Sequence, residues 1–139
     1  MNKFLIILMM LVGMTLNASA QRYQRYSPAP DMYMFGVSFS VSDSTVYFTE
    51  IKQVANTSIE RGTGFLYSRN SYSNQLQQYI KSTSASNYTS VVCYAQKRGK
   101  LEKKFSKMRQ KYQKKNFVVK YIDSAFKFSP VTYKEQEEE

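Results

Sequence analysis

The chain has 139 residues and one cysteine, with 20 Lys or Arg against 10 Asp or Glu, no histidine and a formal charge of +10. That length makes one domain with a modest core. The residue content excludes Cys/His and Ser/His nucleophile arrangements and an internal disulfide, and leaves only carboxylates for a zinc site.

Lys3 precedes an apolar run from Phe4 to Leu16, followed by Asn17-Ala18-Ser19-Ala20. A basic start, an apolar middle and a small-residue end are the parts of a signal peptide, here residues 1–20, cleaved after Ala20. The run of thirteen residues is shorter than the roughly twenty that cross a bilayer, so a retained anchor is the lesser reading. The expectation is an exported protein, periplasmic or secreted, with no transmembrane anchor after cleavage. No Cys lies near the cut, which disfavours a lipid-anchored form.

Residues 21–34, QRYQRYSPAPDMYM, hold Pro28 and Pro30 and are expected as an extended entry segment. The domain proper is expected over 35–133. FGVSFSVS alternates Phe35, Val37, Phe39 and Val41 with Gly36, Ser38, Ser40 and Ser42, a strand with one apolar and one wet face. SDST turns the chain, and VYFTEI forms the second arm of a hairpin. Residues 53–71 carry Gly62 and Gly64 among polar groups and predict a loop.

Tyr72, Leu76, Tyr79 and Ile80 fall on one helical stripe, with Ser71 or Ser73 as the N-cap. YTSVVCYA, residues 88–95, reads as a strand in which Cys93 is a small buried hydrophobe. A basic helix follows over 100–115, then a strand over 117–123 with Phe117, Val119 and Tyr121 on one face. Residues 134–139, which contain Glu135 and Glu137 to Glu139, predict a disordered acidic tail.

The order β-β-α-β-α-β predicts an α+β fold: a two-layer sandwich with both helices on one face, ferredoxin-like with an extra hairpin strand. The β-α-β half is expected to cross over and leave its strands parallel.

The basic helix holds the main candidate site. Leu101, Phe105, Met108 and Tyr112 form its inward stripe, and Lys100, Lys103, Lys104, Lys107, Arg109, Lys111, Lys114 and Lys115 lie outside that stripe. Lys100–Lys104, Lys103–Lys107, Lys107–Lys111 and Lys111–Lys115 are like-charge i,i+4 pairs, relieved only by Glu102. Together they tolerate on the order of 1 kcal/mol of repulsion. An ordinary solvated face mixes signs, so the excess points to an anionic partner: an envelope glycan, a lipid surface or an acidic protein. Export makes nucleic acid an unexpected partner. Two other accounts stand beside this one. The charge serves solubility alone while a Tyr-rich sheet face binds a protein, or the acidic tail lies back on the helix as a counter-charge.

Enzymatic chemistry finds little support. The six acids outside the tail are scattered, Ser124 to Lys127 (SAFK) matches S-x-x-K without a K-T-G partner, and RGTG lacks the spacing and Lys of a phosphate loop. No metal or cofactor is expected. DST at Asp43 and DSA at Asp123 are similar to a short bacterial O-glycosylation sequon, which implies Ser44 and Ser124 as acceptors; turn chemistry explains both pairs equally well.

The block VVCYAQKRGKLEKKFSKMRQKYQKKNFVVKYI resembles the strand–helix–strand half of small secreted proteins of Gram-negative bacteria. In layout it is also similar to SPOR domains, which bind peptidoglycan glycan strands on a ferredoxin-like sheet. The chain departs from the SPOR pattern in lacking a Gly-containing turn after strand 117–123, and no site residue is carried over. The expected function is that of a non-enzymatic envelope protein binding an anionic partner through the basic helix.

Overall fold

The computed structural model describes residues 24–83 and 87–134; the signal peptide expected at 1–20 and residues 135–139 of the expected acidic tail lie outside them. Seven strands and two helices follow in the order β1 (Tyr26–Pro28), β2 (Tyr33–Ser40), β3 (Thr45–Phe48), β4 (Lys52–Gln53), β5 (Ser58–Glu60), α1 (Arg69–Thr83), β6 (Thr89–Ala95), α2 (Arg98–Lys114) and β7 (Val118–Tyr121). The class is α+β: two helices pack against a mixed five-stranded sheet, beside a two-stranded sheet of β1 and β5.

β2 is the centre of the large sheet. β6 runs antiparallel to it from Tyr33↔Ala95 to Phe39↔Thr89, and β3 pairs antiparallel from Val37↔Phe48 to Ser40↔Thr45. β4 takes up the β3 edge again at Tyr33 and Met34. The Thr49 N–H bond to Gly36 O, at 3.0 Å, carries the ladder between them. β7 pairs parallel to β3, so the spatial order is β6-β2-β3-β7. β6 and β7 run parallel, as the β-α-β pattern predicts, but two strands separate them. This order does not reproduce the expected ferredoxin-like interleaving.

A larger correction concerns the layers. The two helices lie on opposite faces of the sheet, giving three layers in place of two. Side chains alternate along β2, so Met34 meets the core of α1 (Tyr72, Leu76, Ile80) and Phe35 and Val37 meet that of α2 (Leu101, with Phe105, Met108 and Tyr112). The supposedly wet face of β2 is therefore buried: Ser38 and Ser40 are 0% and 1% exposed. Its small residues admit a helix. A Cβ added at Gly36 would stand 2.3 Å from Leu76 Cδ2, so glycine is what lets α1 approach this closely.

The buried hydroxyls there are paired. Ser90 Oγ donates to Gln77 Oε1 at 2.8 Å, Ser38 and Ser90 share a 2.6 Å bond, and Gln77 Nε2 donates to Tyr88 O at 2.6 Å. A polar chain thus joins sheet to helix, with each of its side-chain oxygens and nitrogens bonded at least once. On the other face aromatic edges fill the space: Phe105 lies 5.0 Å from Phe35 and 5.1 Å from Phe48, centroid to centroid.

Strand β2 begins at Tyr33, ahead of the predicted Phe35, and Met32 and Met34 are 1% and 0% exposed core residues. The described part of the entry segment also supplies β1, which ends at Pro28 and pairs with β5. Helix α1 starts at Arg69, so Ser71 and Ser73 lie within its first turns and neither is the cap. Ser68 precedes the helix, its hydroxyl bonded to that of Ser71.

Candidate anion-binding helix

Helix α2 ends by local chemistry. Asn116 adopts φ of 62°, its N–H bonds Gln113 O at 3.1 Å and the Phe117 N–H bonds Tyr112 O at 3.0 Å. These are the two hydrogen bonds of a Schellman motif, and the 5.2 Å contact of Tyr112 with Phe117 supplies its apolar clasp. The clasp fixes the angle at which the chain enters β7. At the other end Lys97 offers no side-chain cap, and the first turn has no acid.

Leu101 is buried and Phe105, Met108 and Tyr112 are half-buried against the sheet, as the stripe predicted. The charged residues divide more sharply than expected. At about 100° per residue, Lys100, Lys103, Lys104, Lys107, Lys111, Lys114 and Lys115 fall within an arc of roughly 120°. All seven are exposed. With a rise of about 1.5 Å per residue they form a straight stripe about 22 Å long. Arg109 does not belong to it. It sits on the far side of the apolar stripe, half-buried, 5.9 Å above the Phe105 ring and 3.5 Å from Tyr121 Oη.

Among the described residues no acid pairs with the seven lysines. The ion pairs there are Arg25–Glu60 at 3.2 Å and Arg98–Glu102 at 3.0 Å, so the helix's own acid serves Arg98. Because the apolar face of α2 is committed to the core, the helix cannot insert into a bilayer; it can meet an anionic surface only by its charges. Lysine ammoniums are compact, hydrated point charges, suited to diffuse attraction more than to bidentate recognition.

Beneath the helix, Cys93 faces Met108 with its Sγ 3.7 Å from the thioether sulfur. Burial pushes the thiol up from its ordinary value, opposed in part by the Lys104 charge. The buried hydrophobe reading of Cys93 holds: it is 8% exposed, although its strand is at the sheet edge.

Ser44 and Ser124 both lie in exposed turns. Ser44 has φ of 49°, and the Asp123 carboxylate accepts the Ala125 N–H at 3.0 Å, as turn residues do. Among the described residues no three Cys, Asp or Glu gather to hold a metal ion. No described helix is long and apolar enough to cross a membrane. The sheet tyrosines do not share a face: register puts Tyr47 and Tyr94 toward α1, and Tyr33 and Tyr121 toward α2.

Two groupings escaped the sequence. Tyr26, Tyr67 and Tyr133 meet with centroids 4.6 to 5.3 Å apart beside the small sheet. Lys52, Arg98 and Lys127 line one groove although 29 or more positions separate them. Only the position of Arg98, at the start of a basic run, carried any signal. No family model, no curated protein and no solved structure matches this chain.

Proposed function

We propose that this is an exported, non-enzymatic envelope protein that binds an extended anionic partner along the lysine stripe of α2. The observation that carries the reading is the stripe itself: seven exposed lysines in one arc, none paired with a described acid. A straight row of charges about 22 Å long suits a linear polyanion or a charged plane, such as an acidic glycan, an anionic lipid surface or an acidic face of another protein. Nucleic acid falls outside the reading because the leader directs the chain away from it.

Attraction of this kind weakens steeply with salt, since the screening length shrinks from about 10 Å at 0.1 M to about 3 Å at 1 M. The test compares the intact chain with a Lys103→Gln, Lys107→Gln, Lys111→Gln variant on heparin and on vesicles of anionic lipid. Elution or release at markedly lower salt is expected for the variant. Equal retention of the two proteins, or a complex indifferent to salt, overturns the reading and favours an uncharged protein-binding surface.

A further inference from the structure

The large sheet ends in β6 on one side and β7 on the other. Among the described residues β6 pairs only with β2, so the outer side of Thr89–Ala95 carries a row of backbone N–H and C=O groups with no described strand beside it. Folded chains usually blunt such an edge by short length, Lys or Pro. β7 follows that rule, with four residues and Lys120 among them. β6 does not: its seven residues, TSVVCYA, include no charge and no proline. Val91 of this strand is 39% exposed, although its cross-strand partner Val37 lies in the core beneath α2.

The lysine stripe stands beside this edge. α2 leaves the end of β6 and runs back along it, since it joins two parallel strands. With Leu101 pointing inward, about 100° per residue puts the seven lysines on one flank of α2 and Arg98, Glu102 and Arg109 on the other. Arg109 reaches Tyr121 Oη of β7 at 3.5 Å, so the second flank is the β7 side. Burial raises the Cys93 thiol of β6 and the Lys104 charge opposes it, which sets the lysines on the β6 side. The two features match in length: the stripe spans about 22 Å and β6 about 20 Å, at roughly 3.4 Å per residue. The β7 flank mixes signs and pairs Arg98 with Glu102.

We propose that β6 and the lysine stripe together receive an extended acidic segment of a partner protein, added to the sheet as a strand beside Thr89–Ala95. Alternate residues of such a strand point to the α2 side about 6.8 Å apart, where acids meet a lysine row with a helical turn every 5.4 Å or so. Main-chain hydrogen bonds supply affinity and the charges select the partner. A second copy of the chain does not fit. Joining two β6 edges in one antiparallel sheet keeps both α2 helices on one face and sets lysine row against lysine row. The inference rests on the reading of the stripe as an anion site and narrows its partner to a polypeptide.

The probe is a blocked peptide of alternating Glu and Thr, long enough to span β6. Its control is the same peptide N-methylated throughout, which keeps the charges and abolishes the ladder. Binding of the first to the intact chain should slow amide exchange within residues 89–95. Affinity should fall about tenfold or more on N-methylation, as several hydrogen bonds of about 1 kcal/mol are lost. It should also fall in a Lys104→Gln, Lys107→Gln, Lys111→Gln variant and as salt rises. Equal affinity for the two peptides, equal affinity of the two chains, exchange slowed only outside 89–95, or no binding of either peptide would each overturn the added strand. Heparin separates the two failures: if the intact chain is still retained, only the strand falls, and if it is not, the anion site falls with it.

Discussion

The two helices bury similar stripes on opposite faces of one sheet but present different surfaces to water. Outside its core residues α1 carries Asn70, Ser71, Ser73, Asn74, Gln75 and Gln78, with only Arg69 and Lys81 charged. The corresponding side of α2 carries six lysines, with a seventh, Lys115, at its C-cap. Uncharged polar residues therefore suffice to solvate a helix in this fold, and the lysine row is a property of α2 that packing does not require. The inner faces differ too. Against α1 the sheet offers glycine and serine and a hydrogen-bonded chain; against α2 it offers Phe35, Val37 and Phe48.

The largest expected effect lies on the α2 side. Phe48 is 0% exposed among three aromatic neighbours, so Phe48→Ala should cost about 3–5 kcal/mol in urea denaturation through the cavity it leaves. On the α1 side the opposite manipulation, adding a methyl, is the damaging one. Gly36→Ala should cost about 1–3 kcal/mol by pushing Leu76 out of place. A strand glycine free of such contact would tolerate alanine or gain from it, so an unchanged stability would break the close approach of α1.

Ser38→Ala is expected to cost about 1 kcal/mol, because Ser90 loses a buried hydrogen-bond partner. A neutral outcome would place the weight of that face on Leu76 and Tyr72 alone. Alkaline titration acts on both faces together. Burial raises Tyr72 on one side and Cys93 and Tyr112 on the other, with the Cys93 charge adding to the rise at Tyr112. The folded chain holds these protons more tightly than the unfolded one, so their stabilisation is complete below the ordinary thiol and phenol range. It is lost as pH climbs through the raised values. The melting temperature should be flat from about pH 6 to 8 and fall above about pH 9; a rise there would reverse the sign. The smallest effect belongs to the stripe: Lys107→Gln should leave stability unchanged or raise it by a few tenths of a kcal/mol, because two like-charge pairs are relieved.

Much of this was legible along the chain. The spacing of Leu101, Phe105, Met108 and Tyr112, and of Tyr72, Leu76 and Ile80, located both helices and their inner sides, because a 3.6-residue period needs no partner to be recognised. The alternation in FGVSFSVS located β2 but led to the wrong environment for half of it. Small residues are equally fit for water and for a close neighbour, and only the presence of Leu76 distinguishes the two. Arg109 was separable by the same spacing, since at about 100° per residue it falls beyond Phe105 and away from the lysines.

What the sequence by itself determined is local: which residues share a face of each helix or strand, where α2 stops at Asn116, and that its lysines outnumber nearby acids. The tertiary structure decided which face of the sheet each helix covers, that β6 and β7 flank the β2–β3 hairpin, and that Lys52, Arg98 and Lys127 meet. Periodicity arises from the backbone of a single element, whereas these arrangements depend on contacts between segments far apart in the chain, where no repeating spacing exists to be read.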